Sequence, residues 1–170
     1  RFCTAIEVDL NKLLIAYQEH TDKIFRVFEK NGKIFTKKNE GEVAELNNLE
    51  FGLENAVSGV DGFITNIPGL PLVIRFADCQ GVLMIDPVRK VIAAVHSGWR
   101  GNAKNIIGKT LGLMKTEFGC DSKNVLVGIS ASLGPCCAEF THPEIELPGY
   151  MQKYFTGNKM DLWKCSFDQI

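Results

Sequence analysis

Arg75-Phe-Ala-Asp-Cys79 is followed seventeen residues later by His96-Ser-Gly-Trp-Arg100. A thiol and an imidazole within reach of each other offer two chemistries. One is a thiolate nucleophile served by a histidine base; the other is two ligands of a metal ion. Each residue alone has a bland explanation, since a lone cysteine is ordinarily a small buried hydrophobe and a lone histidine a satisfied core residue. Neither explains why Asp78, Arg75 and Arg100 crowd the same two strand ends, and clustered titratable groups in such places mark sites.

The other reactive residues are less telling by themselves. Gly98-Trp-Arg-Gly101 leads into a helix, whose first backbone N–H groups and positive end favour an anion, with Arg100 alongside. The competing reading is a strand-to-helix turn in which Trp99 only packs. His20, in Gln18-Glu-His-Thr-Asp22, reads in isolation as a surface histidine, and His142, before Pro143, as a capping-region residue. Gly134-Pro-Cys-Cys137 does not have the separated cysteine pairs of a structural zinc site; it reads as a pocket wall, with Cys137 a candidate functional thiol. A His, Cys, His set suits a catalytic zinc, which keeps one position open, rather than a structural one.

The elements that must position these groups are short. Lys23–Phe28 alternates apolar and polar residues as a half-buried strand does. Asn31-Gly32 then predicts a tight hairpin into Lys33–Thr36, and 37–48 reads as an exposed polar connection. Phe63–Thr65, Leu72–Phe76, Gly81–Ile85 and Val91–Val95 are β-rich runs. Asp86-Pro87-Val-Arg-Lys90 is a turn that pairs the last two antiparallel, deep in the protein. That hairpin would bring Cys79 and His96 to one end of the sheet. An amphipathic helix is predicted over about Asn102–Phe118, a buried strand over Val125–Ile129 and a weaker helix over Glu144–Phe155. Strands outnumber helices and hairpins dominate, so the class is α+β.

At 170 residues the chain is long enough for a core of its own and is read as a single domain, 1–170, expected to be incomplete at the termini. It opens without methionine, and 1–11 lacks the apolar core of a signal peptide. The net charge of −1 supplies no global field for nucleic acid or an anionic membrane, and no apolar run approaches the roughly 20 residues of a bilayer span. Six cysteines, two of them adjacent, in a chain that needs no staples are best read as reduced thiols, which implies a cytoplasmic protein.

The chain resembles the YfiH-like, or laccase-domain, family of zinc-binding purine nucleoside phosphorylases. The likeness rests on Gln18-Glu-His-Thr21, on Asp61-Gly-Phe-Ile-Thr65 with Pro68-Gly-Leu-Pro71, and on Arg75-Phe-Ala-Asp-Cys79. It continues through His96-Ser-Gly-Trp-Arg-Gly101, Gly134-Pro-Cys-Cys137 and Asp161-Leu-Trp163. It implies a four-layer α/β/β/α arrangement with mixed, largely antiparallel sheets, and a zinc ion held by His20, Cys79 and His96. The implied reaction is phosphorolysis of adenosine, inosine or guanosine to base and ribose 1-phosphate, with adenosine deamination and methylthioadenosine phosphorolysis as associated activities. Purine nucleoside and phosphate are then the partners, with Arg75, Asp78, Gly98, Trp99, Arg100 and Cys137 around them. Thr21 stands where the family has glycine, and Ala138 where it has tyrosine.

Three other readings compete. A metal-independent hydrolase or deamidase would use Cys79 as nucleophile and His96 as base. A binding module would hold zinc without turnover. A copper-dependent phenol oxidase is disfavoured, because a multi-copper cluster needs many imidazoles and the chain has three histidines.

Overall fold

The computed structural model describes residues 7–38, 41–46 and 56–170; Cys3 and the parts of the polar stretch at 39–40 and 47–48 lie outside them. Strand β1 (Leu14–Tyr17) precedes β2 (Ile24–Lys30) and β3 (Lys33–Lys37). The β2–β3 hairpin closes at Asn31-Gly32, both left-handed (φ 54° and 74°), the turn that matches the strands' own twist. Next come β4 (Val43–Leu46), β5 (Val57–Ser58), β6 (Gly62–Thr65), β7 (Leu72–Val73), β8 (Gln80–Asp86) and β9 (Val91–Ser97). Helix α1 (Trp99–Ala103) and the long α2 (Ile106–Phe118) lead to β10 (Leu126–Ile129).

The fold is α+β, with sheets of mixed orientation. Seven strands form the main sheet in the order β10-β8-β9-β6-β2-β3-β4, and β5-β1-β7 form a smaller, all-parallel one. The core has two sides. Ile106, Ile107 and Met114 of α2 press against Ile24, Ile64, Val82, Met84, Ala93 and Val95 on one face of the main sheet. Leu14 and Ala16 of β1 meet Phe25, Val27 and Phe63 on the other. Helix, large sheet and small sheet thus stack as consecutive layers, each fully buried aliphatic or aromatic side chain contributing roughly 1.5–3 kcal/mol. No helix among the described residues is long and apolar enough to cross a membrane.

Several expectations need correction. The single helix over 102–118 is two: Asn105 stands in the left-handed region (φ 59°) and ends α1 before α2 begins. The polar connection over 37–48 contains β4, paired antiparallel with β3; its exposed side chains hid a strand held by backbone bonds. Val125–Ile129 is an edge strand with Leu126 exposed, and Leu83 and Ile85 of β8 are also exposed, so this corner of the sheet is buried on one face only. The weak helix over 144–155 is a short α3 (Pro143–Glu146) followed by a 3-10 turn (Gly149–Tyr154). Pro148 lies between them and cannot donate the helical bond. At Asp161-Leu-Trp163, α4 (Leu162–Phe167) begins, Asp161 capping it by accepting from Lys164 N at 2.8 Å.

Candidate metal centre

Strand alternation decides where His96 points. On β9, Val91, Ala93 and Val95 face the helix, so His96 faces the side of the small sheet. Its partner across the β8–β9 ladder is Gly81. The Phe76 ring lies directly over that glycine, in space that a side chain at 81 would take. Cys79 sits just before β8, and His20 just beyond β1 in the turn Gln18–Thr21. The small sheet and the hairpin of the large one therefore deliver the two arms to one place. The ligand atoms of His20, Cys79 and His96 lie within 4.8 Å of one another. Cys79 Sγ is 3.8 Å from His20 Nε2, and the two imidazoles meet edge to face, centroids 4.8 Å apart.

One buried carboxylate organises both histidines. Asp61, immediately before β6, has no solvent exposure. Its Oδ1 accepts from His96 Nδ1 at 2.8 Å and from His20 N at 3.1 Å. Oδ2 accepts from Thr21 N at 2.7 Å, Thr21 Oγ1 at 2.6 Å and Glu19 N at 3.4 Å. Asp61 also binds His96 through the backbone, its carbonyl accepting from His96 N at 2.7 Å. His20 takes a left-handed φ of 57°, uncommon for a residue with a side chain, and the Asp61 bonds hold the turn there. Burial works to raise the Asp61 carboxyl, but the donors from His96 and Thr21 hold it below its ordinary value. Burial likewise opposes a charged His96, yet Asp61 and the Cys79 sulfur outweigh it and raise that ring to about 9.

The donor set fits a metal ion. With Nδ1 bonded to Asp61, His96 has Nε2 left to offer. A tetrahedral zinc with bonds of about 2.0–2.3 Å holds its ligand atoms roughly 3.3–3.6 Å apart, close to the Cys79–His20 separation. Gly98 keeps the centre of the group open. A β-carbon there would lie 3.0 Å from His20 Cδ2, 3.1 Å from Cys79 Sγ and 3.6 Å from His96 Cε1.

The remaining candidates surround this group without joining it. Arg75 and Asp78 expose their side chains. Their carbonyls accept from Gln18 Nε2 and, at 2.9 Å, from Leu133 N, which tie the Cys79 loop down. Trp99 is half-buried against Phe140, and the exposed Arg100 guanidinium stacks on its indole, 4.1 Å from the ring centre. Cys137 is exposed at the turn 134–138, its sulfur 2.8 Å from that of Cys136. His142 is the residue just before α3, its Nδ1 3.8 Å from a Glu144 carboxylate oxygen. Behind the site, Gln80 and Asn102 form a buried polar knot with Ser166 and Gln169, which docks α4 against the hairpin. Sequence reasoning assigned no role to Asp61, Thr21 or Gln80. For Asp61 the usable signal was a carboxylate directly before the apolar strand Gly62–Thr65.

The family described as multi-copper polyphenol oxidoreductase laccase matches residues 1–165. The chain belongs to that family. A purine nucleoside phosphorylase of Bacteroides thetaiotaomicron is 35% identical over 127 residues, 69% of this chain and 47% of that protein. Another, from Aquifex aeolicus, is 32% identical over 128 residues, 75% of this chain and 48% of its own length. Of the solved structures, hypothetical protein YfiH from Bacillus licheniformis aligns with a TM-score of 0.78 at 23% identity, over 99% of this chain and 61% of that one. YlmD from Geobacillus stearothermophilus gives 0.75 at 22%, again over 99% and 61%. These two likenesses carry the fold. The match spans about half the length of these two phosphorylases (47% and 48%) and 19% of the purine nucleoside phosphorylase LACC1 of Homo sapiens.

Proposed function

We propose that this chain carries the zinc site of a purine nucleoside phosphorylase, with His20, Cys79 and His96 as the metal ligands. The observation that carries the reading is the convergence of one thiol and two imidazoles around the opening kept by Gly98, in a chain whose relatives bear that name. Two nitrogens and one sulfur leave a fourth position for a substrate atom or water, the pattern of a catalytic rather than a structural zinc. A bound zinc supplies a Lewis acid at this position. In phosphorolysis the C1′–N9 bond of the nucleoside breaks, a phosphate oxygen bonds to C1′, and the base leaves with a proton on a ring nitrogen. Arg100 is the cation for the phosphate, exposed at the start of α1 and braced by Trp99. Arg75 and Asp78 present polar groups from the loop that carries Cys79, and Cys137 belongs to the outer wall.

Three histidines, one of them away from the site just before α3, supply too few imidazoles for several coppers, which supports a single ion. Metal analysis combined with a product assay tests the proposal. Zinc near one equivalent, and free adenine from adenosine only when phosphate is present, is the expected result. Inosine without phosphate would mark deamination as the main activity. Cys79→Ala is expected to lose both metal and turnover. Full phosphorolysis by the folded, metal-free Cys79→Ala protein would overturn the reading, and turnover in chelator with rapid alkylation of Cys79 would replace it with a Cys–His hydrolase.

A further inference from the structure

We infer that Asp61 is the positioning residue of the metal centre, the single group that both fixes the His96 ring with Nε2 toward the metal and holds His20 in reach of it; this rests on the metal-binding reading above. The two histidines arrive on different elements, His96 from β9 of the large sheet and His20 from the turn beyond β1 of the small one. His20 is exposed, its ring meeting the other two ligands at the His96 edge and the Cys79 sulfur, and its backbone sits at φ 57°, a conformation that costs a non-glycine residue of order 1 kcal/mol. All the side-chain contacts of Asp61 come from donors: His96 Nδ1, three consecutive backbone N–H groups at 19, 20 and 21, and the Thr21 hydroxyl. An ionised carboxylate is acceptor-only and can receive all of them. Metal-bound histidines ordinarily give their second N–H to such an acceptor, which sets ring orientation and basicity.

Asp61 does more than that. Its Oδ1 is shared between His96 Nδ1 and His20 N, so the orientation of one ligand and the backbone position of the other depend on the same oxygen. Thr21 strengthens the tie. The Thr21 hydroxyl donates to Oδ2, a bond that glycine at this position could not make.

Asp61→Asn separates this role from a purely structural one. An asparagine can accept on one side only, and its NH2 must face donors on the other. Either the His96 N–H or the Thr21 end of the turn therefore loses its partner. Zinc affinity, measured by competition with a chromophoric chelator, is expected to fall by about 10–100-fold in protein whose circular dichroism is unchanged. Cobalt-loaded Asp61→Asn should keep the Cys79 thiolate charge-transfer band, with its d–d bands weakened by the loss of a histidine. Thr21→Ala should lose affinity in the same direction by a smaller factor. In zinc-loaded unmutated protein, 15N-resolved imidazole spectra should show His96 bound through Nε2, with a hydrogen-bonded proton on Nδ1. That measurement stands even where Asp61→Asn does not fold. His96 bound through Nδ1, or folded Asp61→Asn with unchanged affinity and cobalt spectrum, would overturn the inference. Unmutated protein that binds no metal would instead overturn the reading on which it rests.

Discussion

Gly98→Ala places one methyl group at the centre of the ligand cluster and leaves the rest of the chain alone. Gly98 has φ −78° and ψ 178°, ordinary extended backbone that alanine adopts freely, so the substitution carries no conformational penalty. The new carbon would sit 3.0 Å from His20 Cδ2 and 3.1 Å from Cys79 Sγ, where nonbonded carbon contacts settle at about 3.5–4.0 Å. His20 and Cys79 must therefore each retreat by roughly half an ångström or more. Metal–ligand distances tolerate about ±0.2 Å, so the ion cannot keep all three ligands at proper length. Overpacking of this kind costs about 1–3 kcal/mol, which corresponds to roughly a 5–150-fold loss of metal affinity. Because His20 is exposed and can swing into solvent, the metal-free protein should keep its melting temperature. Competition titration with zinc, beside thermal melts in chelator, checks both halves. Unchanged affinity would show that the opening at Gly98 does not belong to the metal site. A large drop in the metal-free melting temperature would show that the glycine serves the fold instead.

Thiol reactivity should split the cysteines: exposed Cys136 and Cys137 react with a disulfide reagent within the mixing time, while Cys120 and Cys165 react only on unfolding. Burial, aided by Asp86 beside the first and Asp168 near the second, pushes both thiols up to about 11. Their contribution to stability is therefore complete below the unfolded thiol range near about 8.5 and is lost as pH rises toward 11, which alkaline denaturation curves will register. At the acid end, Asp86 accepts from Arg89 N and Val88 N at 2.9 Å each, and these bonds hold its carboxyl below the ordinary value. Stability from this turn should be present above about pH 4 and lost on further acidification, and Asp86→Asn should flatten that limb in pH-dependent urea unfolding. Gly119 ends α2 at φ 67°, donating to Lys115 O while Cys120 N donates to Met114 O. Gly119→Ala should cost about 1 kcal/mol in the same assay.

The local features were legible because they are written within a few residues. Asn31-Gly32 specifies its hairpin, and the Asp86–Lys90 turn specifies the β8–β9 pairing. Where neighbours alone decide less, the residues underdetermine the element. The i, i+4 pattern from Ile106 to Met114 continues in phase back to Asn102, and nothing in it reveals the left-handed Asn105 that separates α1 from α2. Strand β4 carries Val-Ala-Glu-Leu with three exposed side chains, so its pairing with β3 leaves no hydrophobic signature.

By itself the sequence determined the chemistry on offer: one thiol and one imidazole at the ends of two apolar strands, a glycine-flanked helix entry beside them, and three histidines. Register on the β8–β9 hairpin follows from the same stretch, because alternation fixes which face His96 takes. Tertiary structure alone decided the rest. Read in isolation, His20 is a surface residue that only the family resemblance marks as a ligand, and the packing of the small sheet on the large one is what carries it to Cys79. Asp61 looks like the polar start of a strand until β6 is seen between β2 and β9, where its carboxylate faces three backbone donors and a ring nitrogen. The physical reason is range. Backbone preference and side-chain periodicity act over a few residues, whereas the placement of a ligand set depends on sheet order and layer packing.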